Sequence, residues 1–342
     1  MKLLREKDYG CLMKMIITAA GMAVALLGAS AALAGQEYEP PRTASGHPDL
    51  QGVWNFSSNV PMQRPERFGD REFMTTEEVA QMRARLAAAD AASDQAVPQR
   101  DGGPGGYNDF WVESAGLTDQ IRTSHIVYPA TGRLPATLEG VPTIAGGLGD
   151  DVPGARPVRF VVGGIAKNGP EDRGLSERCI VGFNSGPPFV PSLYNNNVQI
   201  VHNDDHAVIM TEMIHDTRVV SLGERPALSE AIELWSGAPR GYWDGDTLVV
   251  QTRNFNGLTQ SFGPFGTSKE KVLTERFSRV GPHTVNYEWT IEDLATFADK
   301  ITAIVPMTKV DGELFEYACH EGNYGMENIL RGARSEEAGA DQ

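Results

Sequence analysis

Residues 240–253 read RGYWDGDTLVVQTR, and this stretch decides the fold class. The triplet Asp244-Gly245-Asp246 separates two runs that are rich in aromatic and β-branched residues, which is the sequence signal of a β-hairpin. In the second run Leu248 and Val250 alternate with Val249, and alternating side chains point to opposite faces of a strand. The stretch therefore predicts two antiparallel strands joined by a tight turn.

The same pattern recurs on both sides of this hairpin. Three further pairs of β-rich runs flank turn residues: 198–202 with 206–213, 272–279 with 284–291, and 304–309 with 314–319. Because no helical pattern separates these strands, residues 188–335 predict an antiparallel meander. Closure into a barrel protects the edges of such a sheet most completely. We therefore predict a mostly β fold with a barrel core, and an open sandwich is the alternative.

Charged residues occur in the middle of the predicted strands. Glu275 and Arg276 lie in one run, and Glu288 lies in the next. Charged side chains are rarely buried without a partner, so we expect these three to face solvent. A polar barrel interior is the alternative.

The first segment of the chain predicts export. Residues 1–34 contain a charged start, a short apolar core from Met15 to Leu27 and the small-residue exit Ala32-Leu33-Ala34. These are the parts of a secretory signal peptide, and the apolar run is shorter than the roughly 20 residues that span a bilayer. We expect a periplasmic or secreted protein without stable membrane insertion.

Three other segments surround the predicted barrel core. Residues 35–95 predict an extended arm and one amphipathic helix, because prolines precede a threonine cap, a first turn with Glu77 and Glu78, and apolar residues at helical spacing. Residues 96–187 are rich in glycine and proline and predict loops packed on the barrel. Residues 336–342 predict a disordered tail.

Charge and cysteine content narrow the possible partners. Lys and Arg total 30 against 45 Asp and Glu, which gives a formal charge of -15 in 342 residues. This balance argues against nucleic acid and anionic membrane surfaces, whose binding needs clustered cations. Cys11 leaves with the signal peptide, so Cys179 and Cys319 remain, and two cysteines in an exported protein predict a disulfide. Two buried thiols are the alternative.

The segment Glu212 to Arg218 is the first candidate for catalysis. His215 precedes Asp216, and a carboxylate can orient an imidazole and raise its basicity. A bend after Glu212 would bring that carboxylate to the same side, and Arg218 would hold a substrate carboxylate or an enolate. The alternative is a turn in which Asp216 binds backbone amides and pairs with Arg218.

A second candidate follows Cys319. His320 is a potential general base, Glu321 its orienting group, and Tyr324 a potential acid or oxyanion donor. The alternative is a structural loop in which His320 satisfies backbone carbonyls.

Further polar residues and one tryptophan have the chemistry of a ligand site. Arg178 precedes Cys179, so a disulfide to Cys319 would bring it into one neighbourhood with His320. Trp243 suits the wall of a cleft, and three consecutive amides follow a tyrosine at Tyr194, Asn195, Asn196 and Asn197.

Metal and cofactor chemistry receive little support. His202, His206 and His215 lie close in sequence, but their spacing matches no zinc pattern, and a hairpin tip with titratable side chains is the simpler interpretation. No dinucleotide or phosphate-loop fingerprint is present. We therefore expect no metal and no cofactor.

Several motifs together resemble a large family of exported, uncharacterised bacterial proteins. They are ERC (177–179), GPP with YNNN (186–197), EMIHDTR (212–218), RGYWDGDTLVV (240–250) and ACHEGNYGMENILRGAR (318–334). The resemblance covers residues 48–335 and implies no reaction. The hairpin at 240–250 is also similar to those of lipocalin-like barrels, a likeness that concerns fold and not function.

The residues favour an exported enzyme that uses no cofactor. We expect His215 and His320 to transfer protons on a small polar organic molecule such as a sugar or aromatic derivative, while Arg178, Arg218 and Tyr324 stabilise negative charge. Lyase, isomerase and hydrolase chemistry all fit this set. A periplasmic binding or carrier protein of lipocalin type is the first alternative, and an envelope assembly factor is the second.

Overall fold

A computed structural model describes residues 38–93, 120–141, 151–152, 164–258 and 268–340. The predicted signal peptide and part of the loop-rich segment lie outside these ranges. The chain divides into two compact units, Met1–Glu39 and Pro40–Gln342, and every helix and strand below belongs to the second.

Strands dominate the described part of the chain. They are β1 (Gly52–Asn55), β2 (Ile126–Tyr128), β3 (Asp151–Val152), β4 (Gly164–Ile165), β5 (Asn197–His202), β6 (His206–Thr211), β7 (Thr217–Leu222), β8 (Ala238–Asp244), β9 (Thr247–Arg253), β10 (Val272–Gly281), β11 (Thr284–Glu292) and β12 (Ile301–Val310). Two α-helices accompany them, α1 (Thr76–Ser93) and α2 (Tyr324–Ala340). Short 3-10 helices cover Glu66–Phe68, Pro170–Asp172 and Met213–His215.

Nine of these strands close into a barrel, as the sequence predicts. Strands β5 to β12 pair in chain order, and β1 pairs with both β5 and β12, which removes the two free edges. All neighbours in the barrel are antiparallel except β7 and β8, which pair in parallel at Ser221 and Arg240. Strand β2 adds to β12 beside β1, and β3 and β4 form a separate parallel pair.

Three predicted hairpins are confirmed and one is wrong. The pairs β5–β6, β8–β9 and β10–β11 have the expected partners, with Val198 opposite Thr211 in the first. The predicted pairing of residues 304–309 with 314–319 does not form, because β12 pairs with β11 and β1 instead. The barrel therefore extends beyond residues 188–335, since β1 comes from the arm.

The barrel interior is filled by side chains. Aromatic residues of two strands, Trp54 of β1 and Tyr287 and Trp289 of β11, have no exposed surface. Glu275 is equally buried and lies between Val250 and Trp289 in the strand register, so its predicted exposure is wrong. Burial of this carboxylate is tolerated because it is paired and hydrogen-bonded inside the barrel.

The extended arm and helix α1 form where the sequence predicts them. The Glu78 amide donates to Thr75 Oγ1 (3.3 Å), and the Thr75 amide donates to the Glu78 carboxylate (2.8 Å), which is a reciprocal capping box. Upstream, Arg42 forms two 2.8 Å hydrogen bonds with Asp246 in the β8–β9 turn. The hydrogen bonds between Arg42 and Asp246 hold the arm against the barrel.

The predicted disulfide is present and anchors the C-terminal segment. Cys179 and Cys319 are bonded across 140 residues, with their Cα atoms 5.8 Å apart. Beyond the bridge the chain forms helix α2, which the sequence did not predict and which includes residues 336–340 of the expected disordered tail. Arg334 of this helix donates to the backbone oxygens of Asn168 (3.0 Å) and Lys167 (2.9 Å).

Across the described ranges, no helix combines the length and the apolar composition that crossing a bilayer requires.

Candidate active site

A serine and a histidine from distant segments meet beside the barrel. Ser58 follows β1, and His125 directly precedes β2, 67 residues later in the chain. The Ser58 Oγ and the His125 Nε2 are 2.8 Å apart, and the His125 Nδ1 is 2.7 Å from the carbonyl oxygen of Ile304 on β12. These distances join a hydroxyl, an imidazole and an orienting carbonyl in one chain of hydrogen bonds.

The backbone of His125 is held on both sides. Its amide donates to Pro61 O (2.9 Å), and its carbonyl accepts from the Ile304 amide (2.9 Å). The residue is only 2% exposed. Its imidazole is thus positioned by the barrel wall and by the segment that contains Ser58.

The hydrogen-bond partners define the protonation of the imidazole. A carbonyl oxygen only accepts, so the Nδ1 of His125 carries the hydrogen and the Nε2 lone pair accepts from the Ser58 hydroxyl. Burial lowers the pKa of His125 to about 4, and the positive charge of Arg122 acts in the same direction. The imidazole is therefore neutral near pH 7 and is in the form that accepts a proton.

The pair lies in a cavity of about 420 Å³. Arg122 lines this cavity, stacks over Phe73 at 4.6 Å from the ring centroid and forms a 3.5 Å ion pair with Glu72. The side chains of Asn59 and Asn286 add amide groups to the wall. The cavity thus combines one cation, one aromatic face and neutral hydrogen-bonding groups.

The neighbouring serine has a different environment. The hydroxyl of Ser57 donates to Asn55 Oδ1 at 2.5 Å and is buried. Ser58 Oγ instead accepts from the Val60 amide at 3.0 Å, which leaves its own proton for His125. Of these two adjacent hydroxyls, only that of Ser58 is bonded to an imidazole.

In the first predicted cluster, Glu212 belongs to a hydrogen-bond network, whereas His215 lies on the surface. Glu212 is buried, and its carboxylate accepts from the Asn197 amide at 2.8 Å; Asn197 in turn accepts from Asn55 at 2.9 Å. His215 is exposed, and its imidazole makes no hydrogen bond within the described ranges. Burial raises the pKa of Asp216 to about 6, although Arg218 opposes this shift.

Arg218 points into the barrel rather than toward a substrate. Its guanidinium contacts both carboxylate oxygens of Glu275, at 2.5 and 3.0 Å, and lies 5.2 Å from the centroid of Phe189. Tyr287 donates to Glu275 as well, at 2.8 Å, and itself accepts from the Phe189 amide at 3.1 Å. An internal carboxylate thus takes the place of the expected substrate contact.

The second predicted cluster lies on the surface around the disulfide. His320 and Glu321 are exposed, and Tyr324 at the start of α2 is 69% exposed. The disulfide joins the chain neighbours of Arg178 and His320, and Asn323 donates to Glu177 O at 2.8 Å. In the described structure no hydrogen bond connects the imidazole of His320 with that of His215.

The amides and aromatic residues that the sequence predicts for a ligand site make contacts with other residues of the protein. Asn196 is buried and bonds Ser192 twice, at 2.8 and 2.9 Å. Asn195 has a positive φ of 54°, and Tyr194 meets the ring of Phe183 edge-on at 5.5 Å. Trp243 stacks on His47 of the arm, with centroids 4.5 Å apart and planes 4° apart.

The histidines considered for metal binding have other partners. His202 Nε2 accepts from the Leu50 amide at 3.2 Å, and His206 Nε2 lies 3.3 Å from the guanidinium of Arg225. In the part of the chain that the structure describes, no group of three or more His, Cys, Asp or Glu side chains is arranged to hold a metal ion.

Ser58 and His125 do not belong to any motif in the sequence. Their separation matches no known nucleophile signature, and His125 lies in the segment that predicts loops. Only the fold brings them together, because β1 and β2 add to the same edge of β12. Comparison with known proteins found no matching family model, no matching curated protein and no matching solved structure.

Proposed function

We propose that this protein is an exported, cofactor-independent hydrolase that cleaves an ester bond in a small polar molecule. Ser58 is the nucleophile, and His125 is the general base. The observation that carries this proposal is the 2.8 Å contact between Ser58 Oγ and His125 Nε2, with the imidazole oriented by Ile304 O inside a cavity. Nucleophile, base and orienting group in hydrogen-bond reach are the recurring parts of covalent catalysis.

The reaction proceeds in two balanced steps. Ser58 Oγ attacks the ester carbonyl carbon while its proton passes to His125 Nε2, and the departing alcohol then takes that proton. Water hydrolyses the acyl group on Ser58 in the second step, with His125 accepting a proton from the water and returning it to Ser58. No electron acceptor or donor is required.

The environment of His125 suits a transition state in which two charges appear together. Burial disfavours a lone imidazolium, as the low pKa of His125 shows. In the first step, however, the imidazolium forms together with a carbonyl-derived oxyanion, and opposite charges attract strongly in a site of low dielectric constant. Arg122 and the amides of Asn59 and Asn286 supply donors in the same cavity.

The cavity also restricts the substrate. A volume of about 420 Å³ suits a small molecule. The Arg122 guanidinium over Phe73 supports a substrate with an aromatic or carboxylate group, since guanidinium binds both. This agrees with the small polar molecule that we expect from the sequence.

The carrier alternative receives less support. A lipocalin-type carrier needs an open barrel interior, whereas this interior is occupied by buried side chains such as Phe277, Tyr287 and Trp289. Ligand binding without turnover would have to use the cavity at Ser58. Export itself is supported by the disulfide Cys179–Cys319, since disulfides persist in oxidising compartments.

The test uses a fluorophosphonate probe, which bonds covalently to activated serines. We expect the purified protein to become labelled at Ser58 and to hydrolyse p-nitrophenyl acetate. Ser58→Ala should abolish both, and His125→Gln should lower hydrolysis by about 10²- to 10⁴-fold. Ser57→Ala is the matched control, because its hydroxyl bonds Asn55 and not His125.

A defined outcome would contradict the hydrolase proposal. If folded protein carries no label at Ser58 and hydrolyses the ester no faster than Ser58→Ala, the hydrolase proposal is wrong. Calorimetric titration with small carboxylates such as benzoate then tests whether the cavity only binds.

A further inference from the structure

A lysine amine is buried without a partner at one end of the barrel. Lys271 directly precedes β10 and is 1% exposed. Its Nζ has no hydrogen-bond partner among the residues that the structure describes, and it lies 4.0 Å from the centroid of Phe255. Lysine is almost never fully buried unless it is paired, so this amine stands apart from ordinary surface lysines.

A carboxylate near this amine also has a free oxygen. Asp293, which follows β11, is 2% exposed; its Oδ2 accepts from the Ser268 amide at 3.0 Å, while its Oδ1 has no partner within the described ranges. The other acidic neighbour, Glu275, is occupied by Arg218 and Tyr287. Within the described ranges, the amine and one carboxylate oxygen are therefore both buried without a hydrogen-bond partner, and the charge of the carboxylate acts on the amine.

The surroundings favour the neutral form of the amine. Burial lowers the pKa of Lys271 to about 7, although Asp293 and Glu275 act in the opposite direction. A substantial fraction of the amine is therefore unprotonated near pH 7, whereas an exposed lysine is almost fully protonated there. A desolvated neutral lysine is a good nucleophile.

Lys271 also lines a pocket of about 460 Å³. The pocket has the buried ring of Phe255 beside the amine and a polar rim that includes Arg253, Glu230 and Glu270. On that rim Lys269 and Glu233 form an ion pair of 2.7 Å. Because the rim carries charges of both signs while the amine rests on an aromatic ring, the pocket suits a short, uncharged organic molecule.

We propose that Lys271 is a nucleophilic amine that condenses reversibly with a small neutral aldehyde. The Nζ lone pair attacks the carbonyl carbon, and a proton moves from nitrogen to oxygen to give a carbinolamine. Loss of water then gives a C=N double bond to Nζ, and hydrolysis reverses the reaction. The carboxylate of Asp293, whose negative charge acts on this amine, accepts the proton from nitrogen and returns it to the leaving hydroxyl. This chemistry uses none of the residues of the Ser58 site.

The test traps the imine in the native full-length protein. Propanal and sodium borohydride are added at neutral pH, and peptide mapping by mass spectrometry locates the N-propyl lysine. We expect labelling of Lys271 to exceed that of Lys269, its exposed neighbour, by at least about tenfold, because burial lowers the pKa of the Lys271 amine. Lys269 serves as an internal control in the same digest.

The pH dependence adds a second readout. Labelling of Lys271 should rise through about pH 7 and then level off. Two carboxylates, Asp293 and Glu275, act on the charge of the amine. The charged residues of the surrounding pocket are Glu230, Glu233, Arg253, Lys269 and Glu270.

Variants distinguish a reactive Lys271 amine from one with a structural role alone. Asp293→Asn should slow labelling of Lys271 without abolishing it, and Lys300→Arg, which lies beside Tyr128 and outside the pocket, should leave it unchanged. The proposal is overturned if native protein is labelled at exposed lysines while Lys271 reacts only after unfolding in urea. It is equally overturned if Lys271 and Lys269 react at the same rate with the same pH profile.

Discussion

Arg218 and Glu275 lie side by side inside the barrel, with Nη1 2.5 Å from Oε2 and Nη2 3.0 Å from Oε1. Arg218 is 7% exposed and Glu275 is fully buried. Tyr287 donates a third hydrogen bond to the same carboxylate. Burial raises the pKa of Tyr287 well above its ordinary value, so its hydroxyl stays protonated and remains a donor. This network places a satisfied ion pair among apolar side chains.

The ion pair leads to the first prediction. Glu275→Gln leaves the buried Arg218 guanidinium without its hydrogen-bonded counter-charge, and breaking such a pair costs about 3–5 kcal/mol of the free energy of unfolding. Urea unfolding at pH 7 measures this loss. Asp244→Asn, which removes the partner of Arg276 at the barrel surface, is the control and should cost less than about 1 kcal/mol. Equal losses in the two variants would contradict the energetic role of the buried pair.

His125 makes stability depend on pH in a defined range. Its folded pKa of about 4 lies below the ordinary value of 6.5, so the unfolded chain binds more protons between these two values. The free energy of unfolding therefore falls as the pH is lowered from about 6.5 to about 4, by roughly 3 kcal/mol for this residue. Urea unfolding at several pH values should show that His125→Gln lacks this contribution.

The control for this pH dependence is a variant that keeps the imidazole. Ser57→Ala removes a hydroxyl that bonds Asn55 and not His125, so it should retain the wild-type dependence between pH 4 and 6.5. Because carboxylates also titrate in this range, the comparison is the difference between each variant and the wild type. A difference of zero for His125→Gln would show that the imidazole is not held neutral by burial.

Lys271 is expected to destabilise the fold near neutral pH. Its folded pKa of about 7 lies below the ordinary 10.5, so the unfolded chain binds more protons between these values and stability rises with pH through that interval. Lys271→Met removes the cost of burying the charge and should raise the free energy of unfolding by a few kcal/mol at pH 7. Denaturant titrations should show this gain shrinking toward pH 10. A constant gain across the range would contradict the assigned cause.

The disulfide is expected to hold the C-terminal segment on the barrel. Without it the C-terminal segment is still held by contacts such as those of Asn323 with Glu177 O and of Arg334 with Asn168 O. A bridge that spans 140 residues restricts the unfolded chain, and its loss costs about 3–5 kcal/mol. The Cys179→Ser/Cys319→Ser variant should melt at lower temperature and should lose residues 311–340 first in limited proteolysis. Cleavage inside the barrel at the same rate would contradict this local role.

The fold was predictable where its pattern is local. Three hairpins are predictable because turn residues stand directly between alternating strands, and the disulfide is predictable because two cysteines remain after the expected signal peptide. The closing strand β1 was not assigned to the barrel, because its partners Gln199 and Val310 lie far away in the chain. Helix α2 was missed since Gly325, Gly332 and Gly339 lower its helix propensity.

The candidate site was less predictable for a related reason. Glu275 was expected in solvent because alternation along one strand does not reveal that Arg218 and Tyr287 meet it from two other strands. Ser58 and His125 are 67 residues apart and become neighbours only when β1 and β2 join β12. Chemistry assembled by closure of a barrel leaves no short motif in the sequence.

The last prediction compares the two exposed histidines, His215 and His320, with the buried His125. His215 and His320 are exposed, and neither imidazole has a hydrogen-bond partner in the described structure, so nothing there fixes a tautomer or an orientation. His125 has both nitrogens bonded and lies beside a hydroxyl. We therefore expect His215→Ala and His320→Ala to hydrolyse p-nitrophenyl acetate within about twofold of wild type, since a surface imidazole that touches no nucleophile contributes little.

The decisive measurement is kcat/KM of the three histidine variants in one buffer, together with fluorophosphonate labelling of Ser58. If His215→Ala or His320→Ala lowers hydrolysis by about 10²-fold or more while Ser58 is still labelled, proton transfer belongs to the surface clusters that the sequence predicts. If only His125→Gln does so, the base is the imidazole that β12 orients through the carbonyl of Ile304.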